Sequence, residues 1–476
     1  MYLTQNVKQR LVVLTDISNE PDDEQSLVRL LMYSTDVDIE GLVATTSVHL
    51  KGAVRPDLIR RQIEAYANII PNLRVHHSDY PDANALSAVV GEGPVGLGMA
   101  GVGDDGDTSG SGILIAAVDR DDPRPVWVTL WGGANCLAQA LWTVKKTRSE
   151  QKVDAFVQKI RVYAISDQDD AAMWIRETFP DLYYVVSPKP YSKSTWYGIK
   201  GVGVIPGADD SKIELSSRRS PNRERLTGII DPDHPGTKWV IEHIRTGHGP
   251  LGELYPETKH AMEGDTPSFL GLLQNGLNFW ENPKYGGWGG RYELYQPTNP
   301  DLVFYNKRYP DYGYTGETRP IWTDVDDTFT GVDGQSYTDN RGSIARWRDA
   351  FQEDFAARMD WCITDQFEEA NHSPVAAFRG QAGRETVHLD ARPGEQVKLS
   401  ASGSSDPDGD ELSFRWSVYP EAGTIEGGGA IEGKEAEEAI LVVPEEVSGE
   451  IHVILEVADA GHHPMRAYRR IIAHVS

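Results

Sequence analysis

The sequence predicts an α/β protein: a large doubly wound domain on a mostly parallel sheet, followed by a small all-β Ig-like sandwich. Three observations carry this expectation. Short apolar runs alternate with polar loops and helical stretches through the first two hundred residues, which is the pattern of repeated strand–loop–helix units. Beyond residue 374 the texture changes to alternating strand patterns at 397–400 and 413–416, with turns rich in Gly, Pro and Asp. A chain of 476 residues is also longer than one core usually organises, so two domains are expected.

Residues 11–14, Leu-Val-Val-Leu, read as a short strand buried on both faces. The chain then breaks into the acidic loop from Asp16 to Glu24, and Leu27, Leu30 and Leu31 follow at helical spacing. Asp16 therefore ends a strand, at the sheet edge where open parallel sheets bind ligands. Carboxylates this dense repel one another unless a cation neutralises them, which points to a hard divalent ion held by oxygen ligands. Pro21, Asp22, Asp23 and Glu24 also suit the opening turn of a helix, where proline is preorganised and acids meet the positive dipole end. That second reading serves Glu24 and offers nothing to Asp16.

Residues 37–46 read as a second strand, 56–69 as a helix with Leu58, Ile59, Ile63 and Tyr66 on one face, and 73–76 as a brief third strand. Nine glycines with Asp104, Asp105 and Asp107 fill 91–112, a composition that predicts a mobile loop, either a lid or disorder. A helix resumes at 111–118. Strand 126–131, the turn Gly132-Gly133-Ala134-Asn135 and helix 136–144 form the clearest unit. Strand 160–165, turn 166–170 and helix 171–178 repeat it, and strand 183–186 closes the series. From 187 to 255 the pattern loosens into insertions.

Glu263-Gly264-Asp265-Thr266-Pro267 precedes a helical run at 268–274. The loop 282–292 sets Tyr285, Trp288 and Tyr292 among glycines; such aromatic faces suit sugar rings, and equally suit a turn with buried aromatics. Ile344, Trp347, Phe351, Phe355 and Met359, spaced by three and four, predict one long amphipathic helix over 342–362. Residues 368–374 read as a polar linker, dividing the chain into domains 1–367 and 368–476. A cut there is expected to sever few core contacts and leave residues 1–370 able to fold alone.

With 46 basic against 72 acidic residues the net charge is −26, a surface that repels phosphate backbones and prefers a neutral or cationic ligand, so nucleic acid is not an expected partner. Cys136 and Cys362 are the only cysteines, too few for a disulfide framework or a thiolate zinc site. No apolar run is long enough to span a membrane. The polar start leaves no room for a secretory signal, so the chain is read as intracellular or as having had a signal removed. No His-x-x-x-His zinc pattern and no Lys-Ser or Lys-Thr phosphate loop is present. Asp406, Asp408 and Asp410 match the first ligands of a calcium loop, but Ser417 stands where its closing glutamate belongs, so a turn is read there, with a second, weak calcium site as the alternative.

The first loop, the Gly-Gly-Ala-Asn turn and the Glu-Gly-Asp-Thr-Pro segment, in that order, resemble the nucleoside hydrolase superfamily. More closely, they resemble its nucleoside-hydrolase-like, cellulose-binding Sde182-type members, over roughly residues 10 to 365. The carboxyl-terminal part is similar to an Ig-like or polycystic-kidney-disease-like sandwich, with residues 403–410 as its signature. In nucleoside hydrolases an Asp-x-Asp-Pro-Gly-x-Asp-Asp loop holds calcium and the attacking water. The resemblance implies Ca2+ held here by Asp16, Asp23, the Ala134 carbonyl and Asp265. Leu14 replaces the family's first aspartate, the loop is two residues longer, and Gly264 stands where the family has a histidine.

The chemistry implied is substitution at an anomeric carbon, with Asp16 as general base, and a ring with cis hydroxyls suits it. Asp22 and Glu263 would stabilise the oxocarbenium-like charge, and Glu263 is also the candidate acid for an O-linked leaving group; an exposed glutamate without a role is the alternative. Asn19, Asp22, His49, Asp167, Gln168 and Trp288 are candidates for sugar contacts. The alternative function is a non-catalytic carbohydrate-binding protein on a hydrolase scaffold. The sandwich is left with docking on the large domain, homo-oligomer contacts or glycan attachment.

Overall fold

The computed structural model describes residues 7–18, 20–187, 195–196, 237–257, 263–296, 319–330 and 336–476. The first half runs β1 (Gln9–Thr15), α1 (Pro21–Met32), β2 (Val37–Ala44), α2 (Pro56–Ala67), α3 (Ile70–His76), α4 (Ala83–Ala88), β3 (Val90–Glu92) and α5 (Ser109–Asp119). It continues with β4 (Val126–Leu130), α6 (Asn135–Thr147), α7 (Glu150–Gln158), β5 (Ile160–Ile165), α8 (Ala171–Thr178) and β6 (Tyr183–Ser187). Then come α9 (Thr237–Val240) with a π-helical turn at Ile241–Arg245, α10 (Gly249–Leu254), α11 (Pro267–Leu270), β7 (Tyr292–Tyr295) and β8 (Ile321–Asp324). The hairpin β9 (Asp327–Thr330) and β10 (Ser336–Asp339) precedes α12 (Gly342–Ala345) and α13 (Arg348–Asp360).

The large sheet has the order β3-β2-β1-β4-β5-β6-β8-β7, parallel except for β7. From β1 the chain winds outward to β2 and β3; it then returns to β4 on the other side and winds out to β6. Reversal between β1 and β4 opens a crevice at their carboxyl ends, which is where a doubly wound sheet takes its ligand. Every residue of β1 is buried, as expected for a strand covered by helices on both faces.

Three expectations need correction. Residues 73–76 belong to α3 rather than a strand. Ile70, Leu73 and His76 are its buried residues, a spacing of three that is helical, and the third strand is β3. The Gly-rich segment 91–112 is built into the packing instead of forming a lid. A Cβ on Gly91 would stand 2.7 Å from Ile113 Cδ1, and one on Gly110 would stand 2.4 Å from Val43 Cγ1, so these glycines let α5 lie close against β2 and β3. The predicted helix 342–362 is broken between α12 and α13. Ala350, Phe351, Asp354, Phe355, Ala357 and Met359 of α13 are all buried, so this helix is enclosed rather than amphipathic.

Its outer cover is the carboxyl-terminal sandwich. The strands β13 (Val387–Ala391), β14 (Gln396–Ser400), β15 (Ser413–Val418), β16 (Ala430–Glu432), β17 (Glu438–Val442), β18 (Gly449–Ala458) and β19 (Arg466–Val475) form sheets ordered β13-β19-β18-β15 and β14-β17-β16, after a small hairpin β11 (Ala377–Phe378) and β12 (Gln381–Ala382). Leu399, Trp416, Leu441, Val453 and Ile471 fill the space between the sheets.

The other face of β18 and β19 merges with the large domain. Tyr419, Ile454, Met465 and Tyr468 share one apolar core with Trp288, Trp347 and Phe351. Buried Arg470 donates to the carbonyls of Leu277 at 2.8 Å and Gly286 at 2.9 Å. Cutting at 368–374 would therefore expose a shared core, contrary to the linker expectation. Both cysteines are free and buried, and among the described residues no helix is long and apolar enough to cross a membrane.

Candidate metal centre

Three segments converge on the crevice between β1 and β4. The end of β1 delivers Asp16, the first turn of α1 delivers Asp22 and Asp23, and the loop before α11 delivers Asp265. All four are buried. One carboxylate oxygen from each of Asp22, Asp23 and Asp265 lies within 4.8 Å of the other two. Asp16 is close enough for its charge to raise the pKa of all three.

Burial and mutual repulsion dominate the electrostatics. Burial, then Glu20 and Asp16, push Asp22 up to about 7. Asp23 and Asp265 are held well above the usual carboxylate range by burial and then by their acidic neighbours. Burial also raises Asp16, opposed by the Ser47 hydrogen bond and the charge of His49.

Hydroxyls aim the carboxylates. Thr15 Oγ1 donates to Asp23 Oδ1 while accepting the Ile17 amide at 3.1 Å. Ser47 Oγ donates to Asp16 Oδ2 and accepts the amides of His49 at 2.9 Å and Leu50 at 3.2 Å. The amides take lone pairs on each hydroxyl and a carboxylate oxygen accepts, so each hydroxyl hydrogen is directed at its carboxylate. Gly132 makes room for Asp16: an added Cβ would stand 2.8 Å from the Asp16 Cβ.

Asp265 is positioned from α1. Glu263 pairs with Arg29 at 2.7 Å, the Glu263 amide donates to Gln25 Oε1 at 3.0 Å, and Thr266 Oγ1 lies 3.0 Å from Ser26 Oγ. Ser268 Oγ then links the Asp265 carbonyl, at 2.6 Å, to Trp131 Nε1, at 2.8 Å. Asp265 Oδ2 is left buried with no hydrogen-bond partner among the described residues.

The residues fit a hard divalent cation. Several buried carboxylates, an orphaned oxygen, and acidic groups as the charges weighing most on Asp22, Asp23 and Asp265 make an oxygen-donor set suited to such an ion. Asp16, Asp22, Asp23 and Asp265 are thus brought together, with His49 beside them.

The other sequence candidates have different places. Glu263 is fully buried in its ion pair and also accepts from Tyr255 Oη at 2.6 Å, so it is a structural anchor and not a proton donor. Asp167 forms a two-pronged ion pair with Arg176, at 2.9 and 2.6 Å. The Gln168 side chain donates to the carbonyls of Trp131 at 2.5 Å and Ile165 at 3.2 Å, stitching loops together. Trp288 is buried at the domain seam between Phe351 and Tyr468, which leaves no face for a sugar. The Ala134 carbonyl accepts the Ala138 amide at 2.9 Å, so it is engaged in the ladder of α6. Asn19 lies outside the described residues.

Sequence reasoning did not find Asp169. It is buried, pushed up to about 7 by that burial, and gathers the amides of Asn135 at 3.1 Å and Ala171 at 3.0 Å, so it ties the two turns behind the cluster together. A Cβ on Gly133 would meet its Oδ2 at 2.3 Å, and that Gly-Gly pair after a buried strand is the signal in the sequence.

An oxygen-donor centre at the switch point of a doubly wound sheet, carried by a domain with a docked sandwich, is the frame of a nucleoside-hydrolase-like protein. The chain belongs to the family described as "Cellulose-binding Sde182, nucleoside hydrolase-like domain", whose model matches residues 10–292. Residues 396–475 match the C-terminal domain of cellulose-binding protein Sde0182. Among solved structures, the chain is similar to a nucleoside hydrolase-related hypothetical protein from Saccharophagus degradans, described as associated with carbohydrate metabolism. The two are 34% identical with a TM-score of 0.81, over 99% of this chain and 100% of that one. No curated protein matches the chain.

Proposed function

We propose that the protein is a calcium-dependent glycoside hydrolase acting on an N- or O-linked furanoside-like sugar at the cluster of Asp16, Asp22, Asp23 and Asp265. The observation that carries this reading is the buried convergence of four carboxylates at the switch point, with Asp265 Oδ2 left without a hydrogen-bond partner among the described residues. Asp22, Asp23 and Asp265, whose carboxylate oxygens lie within 4.8 Å of one another, would hold the ion, with Asp16 beside them. Calcium, when bound, would supply the fixed positive charge that keeps these carboxylates ionised and makes a neighbouring water more acidic.

Asp16 is the general base: Ser47 fixes one of its oxygens and leaves the other to take a proton from water attacking the anomeric carbon. The negative charge of the cluster, Asp22 included, would stabilise the positive charge that develops on the sugar. With Glu263 committed to Arg29, His49 beside Asp16 is left as a substrate contact. A panel of nucleosides and aryl furanosides, assayed with calcium and with chelator, tests this. Asp16→Asn is expected to lower kcat by about 10²–10⁴. Turnover indifferent to both chelation and Asp16→Asn would sink the mechanism.

A second reading is supported by the family's description: a carbohydrate-binding protein that retains the scaffold without turnover. Retention of the full chain on insoluble cellulose, with no substrate of the panel cleaved, would favour it.

A further inference from the structure

A second group of ligating side chains lies at the seam between the domains. His243, on the π-helical turn after α9, meets His462 and His463 on the loop joining β18 and β19, and one ring nitrogen of each lies within 4.8 Å of the other two. The ring centroids of His243 and His463 are 4.5 Å apart, and those of His462 and His463 are 4.2 Å apart.

His463 is 6% exposed, and its Nδ1 engages Glu353 Oε2 of α13 at 2.7 Å. A carboxylate accepts a hydrogen there, so Nδ1 carries a proton and, in the neutral ring, Nε2 holds the lone pair. Nε2 is buried and has no hydrogen-bond partner among the described residues. A buried acceptor left unpaired is unfavourable unless something else uses its lone pair.

We propose that His243, His462 and His463 bind a borderline divalent transition ion of the zinc class, tying the sandwich to the large domain. Imidazole nitrogens select zinc, copper or nickel over calcium, so the carboxylate centre and this one take different ions. Three imidazoles and one water would complete a tetrahedron with metal–nitrogen bonds of about 2.0–2.1 Å. The carboxylate behind His463 is the partner that metal-bound histidines characteristically have, orienting the ring and strengthening its donor nitrogen. Burial and the neighbouring His463 lower the pKa of His243, which keeps its lone pair available, and Glu242, Glu353 and Asp360 make the surroundings favourable to a cation. His462 is exposed and gives the ion a way in.

Untagged full-length protein is titrated with Zn2+ in saturating Ca2+, which blocks the carboxylate centre, and binding is followed by calorimetry. One equivalent is expected to bind and to raise the thermal unfolding midpoint. Substituting Cu2+ is expected to give an electron paramagnetic resonance spectrum with nitrogen coupling and to quench Trp239, whose ring lies 5.0 Å from that of His243. Because His463 is buried, the ligand test uses the double variant His243→Gln/His462→Gln, which is expected to lose this equivalent. Glu353→Gln is expected to weaken binding about tenfold or more while keeping the stoichiometry. An unchanged equivalent in the double variant, displacement by calcium, or affinity no tighter than millimolar would overturn the proposal.

Discussion

At Gly132 a single methyl group should decide whether the centre assembles. The Cβ of Gly132→Ala would stand 2.8 Å from the Asp16 Cβ and 2.9 Å from its backbone nitrogen, and neither belongs to a flexible side-chain end. The substitution is expected to cost about 1–3 kcal/mol of stability in denaturant unfolding and to weaken calcium binding by pushing Asp16 off Ser47. The acids themselves set the pH dependence. Asp22 and Asp169 are raised from 3.8 to about 7, so the folded state binds these protons more tightly than the unfolded chain. Their contribution is therefore fully present below the unfolded value and is lost as pH rises from about 4 through about 7. In chelator, unfolding midpoints should fall across that window. Calcium replaces the proton at the cluster, so its stabilising increment should be larger near about pH 8 than near about pH 5. An increment that shrinks as pH rises would contradict the assignment.

Among the elements, the loop before α11 depends most on its anchor. Glu263→Gln would leave the Arg29 guanidinium buried without its charge partner, with its ring contact to Phe355 at 4.1 Å unable to replace it. A loss of about 3–5 kcal/mol in unfolding free energy is expected. A glutamate acting as proton donor would instead lose turnover at unchanged stability. The strands that carry the site were legible in the sequence because each is a short apolar run ending in a polar turn. That pattern placed Asp16 and the Gly132–Gly133 turn on one sheet edge, whereas Asp265, which follows no apolar run, was legible only through the resemblance to nucleoside hydrolases. Glu263 was misread because acidity alone suggests exposure, and nothing nearby in sequence reveals that Arg29 waits 234 residues away. Segment 91–112 was misread for a related reason: glycine composition signals freedom when its neighbours are unknown and close packing when Val43, Ile113 and Cys136 fill the missing Cβ positions. In α3 a four-residue window hid the period of three that Ile70, Leu73 and His76 display.

The two domains share one apolar core across their seam. Truncation after residue 370 would uncover Trp288, Trp347 and Phe351 and remove Tyr468 and Arg470, so the shortened chain is expected to be insoluble or to unfold at markedly lower denaturant than the full chain. A soluble fragment with an unchanged midpoint would show that the shared core contributes little. The fold thus docks a sandwich on the large domain and buries an acidic cluster at the sheet's switch point, and the function proposed rests on what that cluster holds. The direct test is calorimetric titration of Ca2+ into the full-length protein and into Asp265→Asn. One saturable equivalent is expected for the parent, with binding at least about tenfold weaker once the orphaned Asp265 oxygen becomes an amide. Equal binding by both proteins, or none by the parent, would contradict the account.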